Sequence, residues 1–341
     1  MSTTDVTATE TFDTKPDYSF PEATQLLPYN APEEDWVAQR SQGVGGSDAS
    51  IIMGENRYRE LLDLYEDKMG LAEPFAGNYL TRRGHHMEDL LRQEFSQQTG
   101  IETQRRGMLV NKDRPYMRAN VDSLTADGGI FEAKVHGHWL QDDWSEEEGR
   151  VSTEAYWQVQ HNMAVTGRSH AWVVADIGGD FKIIYIERDD DDIADLIAGI
   201  DDFWHYHVLA ETPPKPQRLA NIKKVYSRAN RGTTVVADDE VVAALSKYRK
   251  AKEVESKTKE LLKHYELHIR GFMENAETLV DEHGVVIATN KQNGTFKEAD
   301  FRKHHPDVAE KYVKQITKID TQRLKKANEE LYTRYRARVI R

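Results

Sequence analysis

Cysteine is missing from all 341 residues. That excludes disulfides, thiolate zinc sites and cysteine-held iron–sulfur clusters, and it fits a reducing compartment. No run approaches the roughly eighteen consecutive apolar residues of a membrane-spanning helix, so no membrane partner is expected. The opening MSTTDVTATETFDTKPDYSF lacks a basic start followed by an apolar stretch, so it does not read as a signal peptide. Residues 1–30 read instead as a disordered tail. Proline is scarce, and three of the ten fall together in ETPPKPQRL, which marks a boundary near residue 212.

Positive charge is also short overall, with a net charge of −12, and this at first argues against a nucleic-acid partner. The distribution is uneven. Residues 1–212 hold 18 Lys+Arg against 40 Asp+Glu, whereas residues 213–341 hold 28 against 18. A basic final third suits contact with a polyanion, and a solvated helical surface explains the same charges equally well.

What is present between Asp35 and Val208 alternates between helical and strand periods. YRELLDLYEDKMG and MEDLLRQEFSQQTG read as helices ended by Gly70 and Gly100. GMLVN, YMRANVDSLTA and GIFEAKV read as strands, with a turn at DGG. EAYWQVQHNMAVTG is a further helix, HAWVVADIGGDFKIIYIERD a hairpin, and DIADLIAGIDDFWHYHVL another helix. The run DDDD at 189–192 reads as a solvated helix start, where acids are favoured. Residues 213–341 read as a mainly helical extension: one long helix, a short hairpin (TLVDEHGVVIATN) and a charged helical tail. The expected organisation is a tail over 1–30, a main domain over 31–212 and the extension over 213–341.

In FEAKV, strand alternation puts Phe131, Ala133 and Val135 on one face and Glu132 with Lys134 on the other. A solvated surface pair would account for the charges by themselves. Asp122 changes that reading, because the DGG turn brings its segment beside the strand of Glu132. Two adjacent carboxylates repel unless a cation lies between them. Hard oxygen ligands suit Mg²⁺, with Mn²⁺ as a substitute, bound through one or two carboxylates and substrate phosphate oxygens. An adjacent lysine would orient water and offset phosphate charge, the arrangement for metal-assisted phosphodiester hydrolysis.

Four blocks in order, RSQGVGGSDASIIMG, GHHMEDLLRQEFSQQTG, ANVDSL…GIFEAKV and YWQVQHNMAVTGRSHAWVVADIGGDFKIIYIERD, resemble the YqaJ-type viral recombinases. These are relatives of phage lambda exonuclease in the PD-(D/E)xK nuclease superfamily, and the resemblance covers about residues 35–210. It implies an α/β fold, a mixed central sheet flanked by helices. It implies 5′→3′ degradation of one strand of linear duplex DNA, leaving 3′ single strands for an annealing protein of the phage recombination system. A homo-oligomeric ring trimer around DNA and the cytoplasm of a bacterial host follow from the same likeness.

Carried over by position, Asp122, Glu132 and the carbonyl of Ala133 would hold the metal, and Lys134 would be the catalytic lysine. Glu88 matches a helix carboxylate that aids metal or water; as an ordinary helix residue it would face solvent. Gln160 matches the family's active-site glutamine, with Gln158 second choice, although a core amide is the alternative. Arg40 and Ser47 match the residues that hold the 5′-terminal phosphate. The glycines of RSQGVGGSDAS are followed by no G-K-[ST], so no ATP site is implied. His85–His86 and His136-x-His138 lack the spacing of a zinc protease helix. Trp139, Trp144 and Trp157 have the chemistry to stack on unpaired bases, with core packing the default for Trp157. Two rivals stand beside this reading: a repair nuclease of the same superfamily with different polarity, and a non-catalytic DNA-end binding module.

Overall fold

A computed structural model of the chain describes residues 15–72, 77–230, 232–291, 295–312 and 319–334. The chain divides into two compact units, Met1–Ser227 and Arg228–Arg341.

The first unit begins with β1 (Ala23–Gln25), α1 (Glu33–Arg40), α2 (Ala49–Ile52) and α3 (Leu61–Lys68). The long helix α4 (Tyr79–Thr99) follows, then the short strands β2 (Thr103–Gln104), β3 (Leu109–Asn111), β4 (Arg118–Ala119) and β5 (Ser123–Thr125). The centre is built by β6 (Ile130–His136), α5 (Thr153–Thr166), β7 (His170–Ile177) and β8 (Asp180–Glu187). Helices α6 (Asp190–Asp202) and α7 (Leu219–Val225) complete the unit, with a π-helical stretch, Phe203–Leu209, continuing α6.

The main sheet runs β2-β5-β6-β7-β8, with β6 and β7 parallel and every other pair antiparallel. It is the mixed sheet with helices on both faces that the sequence implied. On one face Leu91 and Phe95 of α4 pack on Phe131 and Val174. On the other, Ala155, Val159 and Met163 of α5 join Val173, Ala175 and Ile184 in the main core. A second sheet, β1-β3-β4, lies in the same unit.

Local chemistry sets the helix ends. The Asn78 side chain caps α4 by accepting from the Thr81 N–H at 3.0 Å, and Gly100 closes it in the left-handed conformation at φ 73°. The cap lies upstream of the expected start because YLTRRGHH carries little apolar periodicity. Asp189 caps α6, accepting from the N–H groups of Asp191 and Asp192 at 3.0 Å each, so the acidic run is the helix start that was expected.

Three expectations change. Residues 15–30 are not a free tail: β1 pairs with β3, and the Asp17 N–H donates to the Ala126 carbonyl at 2.9 Å; residues 1–14 lie outside the described residues. The single strand expected over YMRANVDSLTA is two strands in different sheets, and Asp122 lies in the break between them. The Pro-rich segment does not end the first unit. Glu60 at the start of α3 accepts from the N–H groups of Gln217 and Arg218 at 3.0 and 2.6 Å, and from the Asn221 amide at 2.8 Å.

The second unit contains the 35-residue helix α8 (Asp239–Met273), an antiparallel hairpin of β9 (Thr278–Val280) and β10 (Val286–Thr289), and helices α9 (Glu298–His304), α10 (Pro306–Glu310), α11 (Thr321–Ala327) and α12 (Glu329–Arg334). This is the mainly helical extension read from the sequence.

Candidate active site

The break after β4 sets the position of Asp122. In the β5–β6 ladder Ser123 faces Phe131, so Asp122, one residue earlier, falls beside Glu132. The ladder stops there, and the side chain of Asp122 takes the place of a strand partner: its Oδ2 accepts the Ala133 N–H at 2.8 Å. An extended residue turns its N–H and C=O to the same edge. The Ala133 carbonyl is therefore directed to the edge where Asp122 sits, with no β5 residue opposite it.

Alternation puts Glu132 and Lys134 on the face covered by α5, and Glu132 is only 2% exposed, so this is no solvated surface pair. Lys134 Nζ donates to Glu132 Oε1 at 2.5 Å and to Gln158 Oε1 at 2.9 Å. Gln158 Nε2 donates to the same Glu132 oxygen at 2.5 Å. The second oxygen, Oε2, is buried and has no hydrogen-bond partner among the described residues. A buried carboxylate oxygen without a partner carries a desolvation cost that a cation would relieve.

Electrostatics point the same way. Burial, then the charge of Asp122, pushes the Glu132 carboxyl up to about 8, although Lys134 opposes the shift. Burial followed by Asp122 pushes Glu88, on α4, up to about 7. Asp122 is raised by burial, partly offset by Lys134 and the Ala133 N–H. Burial acts to discharge Lys134, but the charges of Glu132 and Asp122 outweigh it and hold the ammonium protonated. The lysine is thus a donor at neutral pH, not a base.

A cavity of about 490 Å³ opens beside these groups; Glu88, Asp122, His85, Arg105, Tyr29 and Trp36 are among the residues that line it. Tyr29 and Trp36 come from the segment around α1, and Arg105 lies over the Tyr29 ring at 5.0 Å. Among the described residues, no group of three or more His, Asp or Glu side chains is placed to hold a metal ion. The donor set fits an open site of two carboxylates with a main-chain carbonyl, the pattern of a hard cation that keeps waters and substrate oxygens in its shell.

Of the two glutamines, Gln158 is the one against the carboxylates. Gln160 is fully buried on another side of α5, where Nε2 donates to the Glu187 carbonyl at 2.8 Å and Oε1 accepts the Asp189 N–H at 3.0 Å. It is a satisfied core amide that ties α5 to the end of β8. Gln158→Ala is expected to lower turnover by about tenfold to a hundredfold, the range for losing an outer hydrogen-bond partner of a metal ligand, with thermal stability little changed. Gln160→Ala is expected to lower the melting temperature instead. Steady-state rates and thermal denaturation of both variants check this; an inactive but fully stable Gln160→Ala would contradict it.

Arg40 and Ser47 meet, with Arg40 Nη2 donating to Ser47 Oγ at 3.1 Å, and both are exposed. Their loop lies against α5. A Cβ on Gly46 would stand 2.6 Å from Asn162 Oδ1 and 3.1 Å from the Gln158 carbonyl, so glycine permits this approach. The pair is thereby joined to the turn of α5 that carries Gln158. His85 and His86 are exposed, Trp139 is 78% exposed, and Trp144 and Trp157 are core residues.

The fold is a mixed sheet flanked by helices, with the acidic groups and Lys134 gathered at one edge of it. Residues 35–169 match the family model of the YqaJ-like viral recombinase domain. The chain is 28% identical over 255 residues to the uncharacterized protein YqaJ of Bacillus subtilis (strain 168), covering 72% of this chain and 79% of that protein. Two crystal structures of the alkaline exonuclease LHK-Exo from Laribacter hongkongensis, one in complex with dAMP, are similar at 23% and 22% identity, each with a TM-score of 0.46 over 57% of this chain and 98% of theirs. A phage-related exonuclease from Haemophilus somnus 129PT is similar at 12% identity, with a TM-score of 0.38 over 52% of this chain and 99% of its own. Over residues 35–169 the chain is thus similar to the YqaJ-like viral recombinase domain.

Proposed function

We propose that the protein is a Mg²⁺-dependent exodeoxyribonuclease that degrades one strand of linear duplex DNA 5′→3′. The observation that carries this is the unpartnered buried oxygen of Glu132 beside Asp122, with the Glu132 carboxyl pushed up to about 8. Such a site is completed by a cation.

Asp122, Glu132 and the Ala133 carbonyl would hold Mg²⁺ or Mn²⁺, with Glu88 as a further oxygen donor. A bound divalent ion supplies charge stabilisation at the phosphate and a more acidic water. Lys134 donates from the α5 side, orienting the attacking water and offsetting charge on the phosphate as water adds to phosphorus and the P–O bond to the leaving sugar breaks. Gln158 holds both Lys134 and Glu132 in register. Arg40, whose planar fork matches phosphate oxygens, receives the 5′-terminal phosphate with Ser47. The product strand, a 3′ single strand, would pass to an annealing protein of a phage recombination system. A ring trimer around DNA ends, working in the cytoplasm of a bacterial host, agrees with the family likeness.

Digestion of duplexes labelled separately at the 5′ and 3′ ends, followed by product sizing, tests this reading. Early release of 5′ label as mononucleotide is expected; early loss of 3′ label would reverse the polarity.

The raised carboxyls also give a pH dependence. Protons compete with metal at Glu132 and Glu88, so apparent Mg²⁺ affinity should climb through about 7 to 8 and level off above. In metal-free protein the sign for stability is opposite. A carboxyl raised in the folded state stabilises it fully below its ordinary value of 4.5, and that contribution is lost as pH rises through about 8. Isothermal titration and thermal denaturation in EDTA across this window check both trends. A metal affinity independent of pH would contradict them.

A further inference from the structure

Behind Arg40 and Ser47 lies a pair of charges that the catalytic reading leaves without a task. Lys68, the last residue of α3, and Asp48 form an ion pair at 2.7 Å, with both side chains 4% exposed. Each makes a second hydrogen bond to main chain. Lys68 Nζ donates to the Arg40 carbonyl at 3.2 Å, and Asp48 Oδ2 accepts the Gly45 N–H at 3.0 Å. One buried pair thus ties together the end of α1, the glycine loop and the end of α3.

A buried ion pair is poor value as a source of stability, since well-packed apolar residues often serve as well. It supplies direction, because each bond fixes the place of a main-chain atom. The atoms fixed here are the carbonyl of Arg40 itself and an N–H two residues before Ser47. The side chains of Arg40 and Ser47 are exposed and rest on each other at 3.1 Å. On its other flank the loop abuts α5 at Gly46, where a methyl group would crowd the Asn162 side chain and the Gln158 carbonyl. The loop is held from beneath on two sides while its two phosphate-type donors face outward.

We propose that Asp48 and Lys68 are positioning residues for the DNA end, fixing Arg40 and Ser47 in the geometry that selects a terminal 5′-phosphate. This rests on the reading of Arg40 and Ser47 given above. Neither residue of the pair touches the DNA; each acts through the backbone of a residue that does.

The test compares kcat and KM on linear duplexes that differ only in a 5′-phosphate or a 5′-hydroxyl. Wild type is expected to prefer the phosphorylated end. In Lys68→Met/Asp48→Asn no lone charge is buried and the Gly45 N–H keeps an acceptor, so the fold survives while the hold on Arg40 is lost. The preference should then fall by about tenfold, the scale of one misplaced charged hydrogen bond, mainly through KM for the phosphorylated end. A merely structural role would slow both substrates by the same factor. In an Arg40→Ala background the same double substitution should change the preference no further, because its effect runs through Arg40. A wild type indifferent to the phosphate would remove the phosphate pocket and this inference together. A wild type that discriminates, with a double variant that discriminates equally well, would overturn this inference alone. Should the double variant fail to fold, Lys68→Met carries the test, because it removes the donor to the Arg40 carbonyl and leaves Asp48 on the Gly45 N–H, and full preference in that folded variant overturns the proposal.

Discussion

Asp122→Ala and Glu132→Ala are each expected to eliminate Mg²⁺-dependent release of nucleotide from linear duplex while the protein stays folded. On the proposed reading each would remove an oxygen donor from a small set: Asp122, Glu132, the Ala133 carbonyl and Glu88. The loss should exceed the 10–100-fold that removal of a ligand's hydrogen-bond partner costs. Stability should move the other way. The charge of Asp122 helps raise Glu132 to about 8, so in EDTA at alkaline pH Asp122→Asn should melt higher than wild type. It keeps an acceptor for the Ala133 N–H and removes the repulsion. Wild type should regain the difference on adding Mg²⁺, and the variant should gain little. Activity near wild type in either alanine variant would sink the metal assignment.

Lys134→Ala is the second large effect, a fall in turnover on the order of 10²–10³, as for loss of one donor aimed at a developing negative charge. Metal binding should survive, because the ammonium contacts Glu132 and Gln158 and is no ligand. The measurement belongs above about pH 8, since Lys134 also lowers the Glu132 carboxyl and its removal favours the protonated form. Isothermal titration with Mg²⁺ or Mn²⁺ distinguishes the roles. A loss of affinity equal to that of Asp122→Ala would make Lys134 a structural partner of the carboxylates.

The juxtaposition of these residues was legible because strand alternation is a strict period. Once FEAKV is a strand, Glu132 and Lys134 must share a face, and the DGG turn must return Asp122 to it. Gln158 and Gln160 were not separable in the same way. Residues two positions apart on a helix point roughly 200° apart, so one of them faces the site. Deciding which needs an amphipathic stripe, and α5 has none: Trp157, Val159, Gln160, His161 and Asn162 are all buried. A helix enclosed on every side gives no signal of which face meets the carboxylates. The strand β1 was hidden for another reason. It is three residues long, and its pairing with β3 joins residues more than eighty apart, so no local pattern announces it. The break that places Asp122 was also unreadable, because YMRANVDSLTA has strand composition throughout and only the assembly of two sheets divides it. The Asp48–Lys68 pair, twenty residues apart, gave no sequence signal beyond one charge just after a glycine-rich turn and another at the end of a helix.

The most direct test of the whole account is release of acid-soluble nucleotide from linear duplex DNA, with covalently closed circular duplex of the same sequence as control, each with Mg²⁺ and with EDTA. The account predicts release from the linear form with Mg²⁺ and none under the other three conditions. Release from the closed circle, or equal release in EDTA, would contradict it.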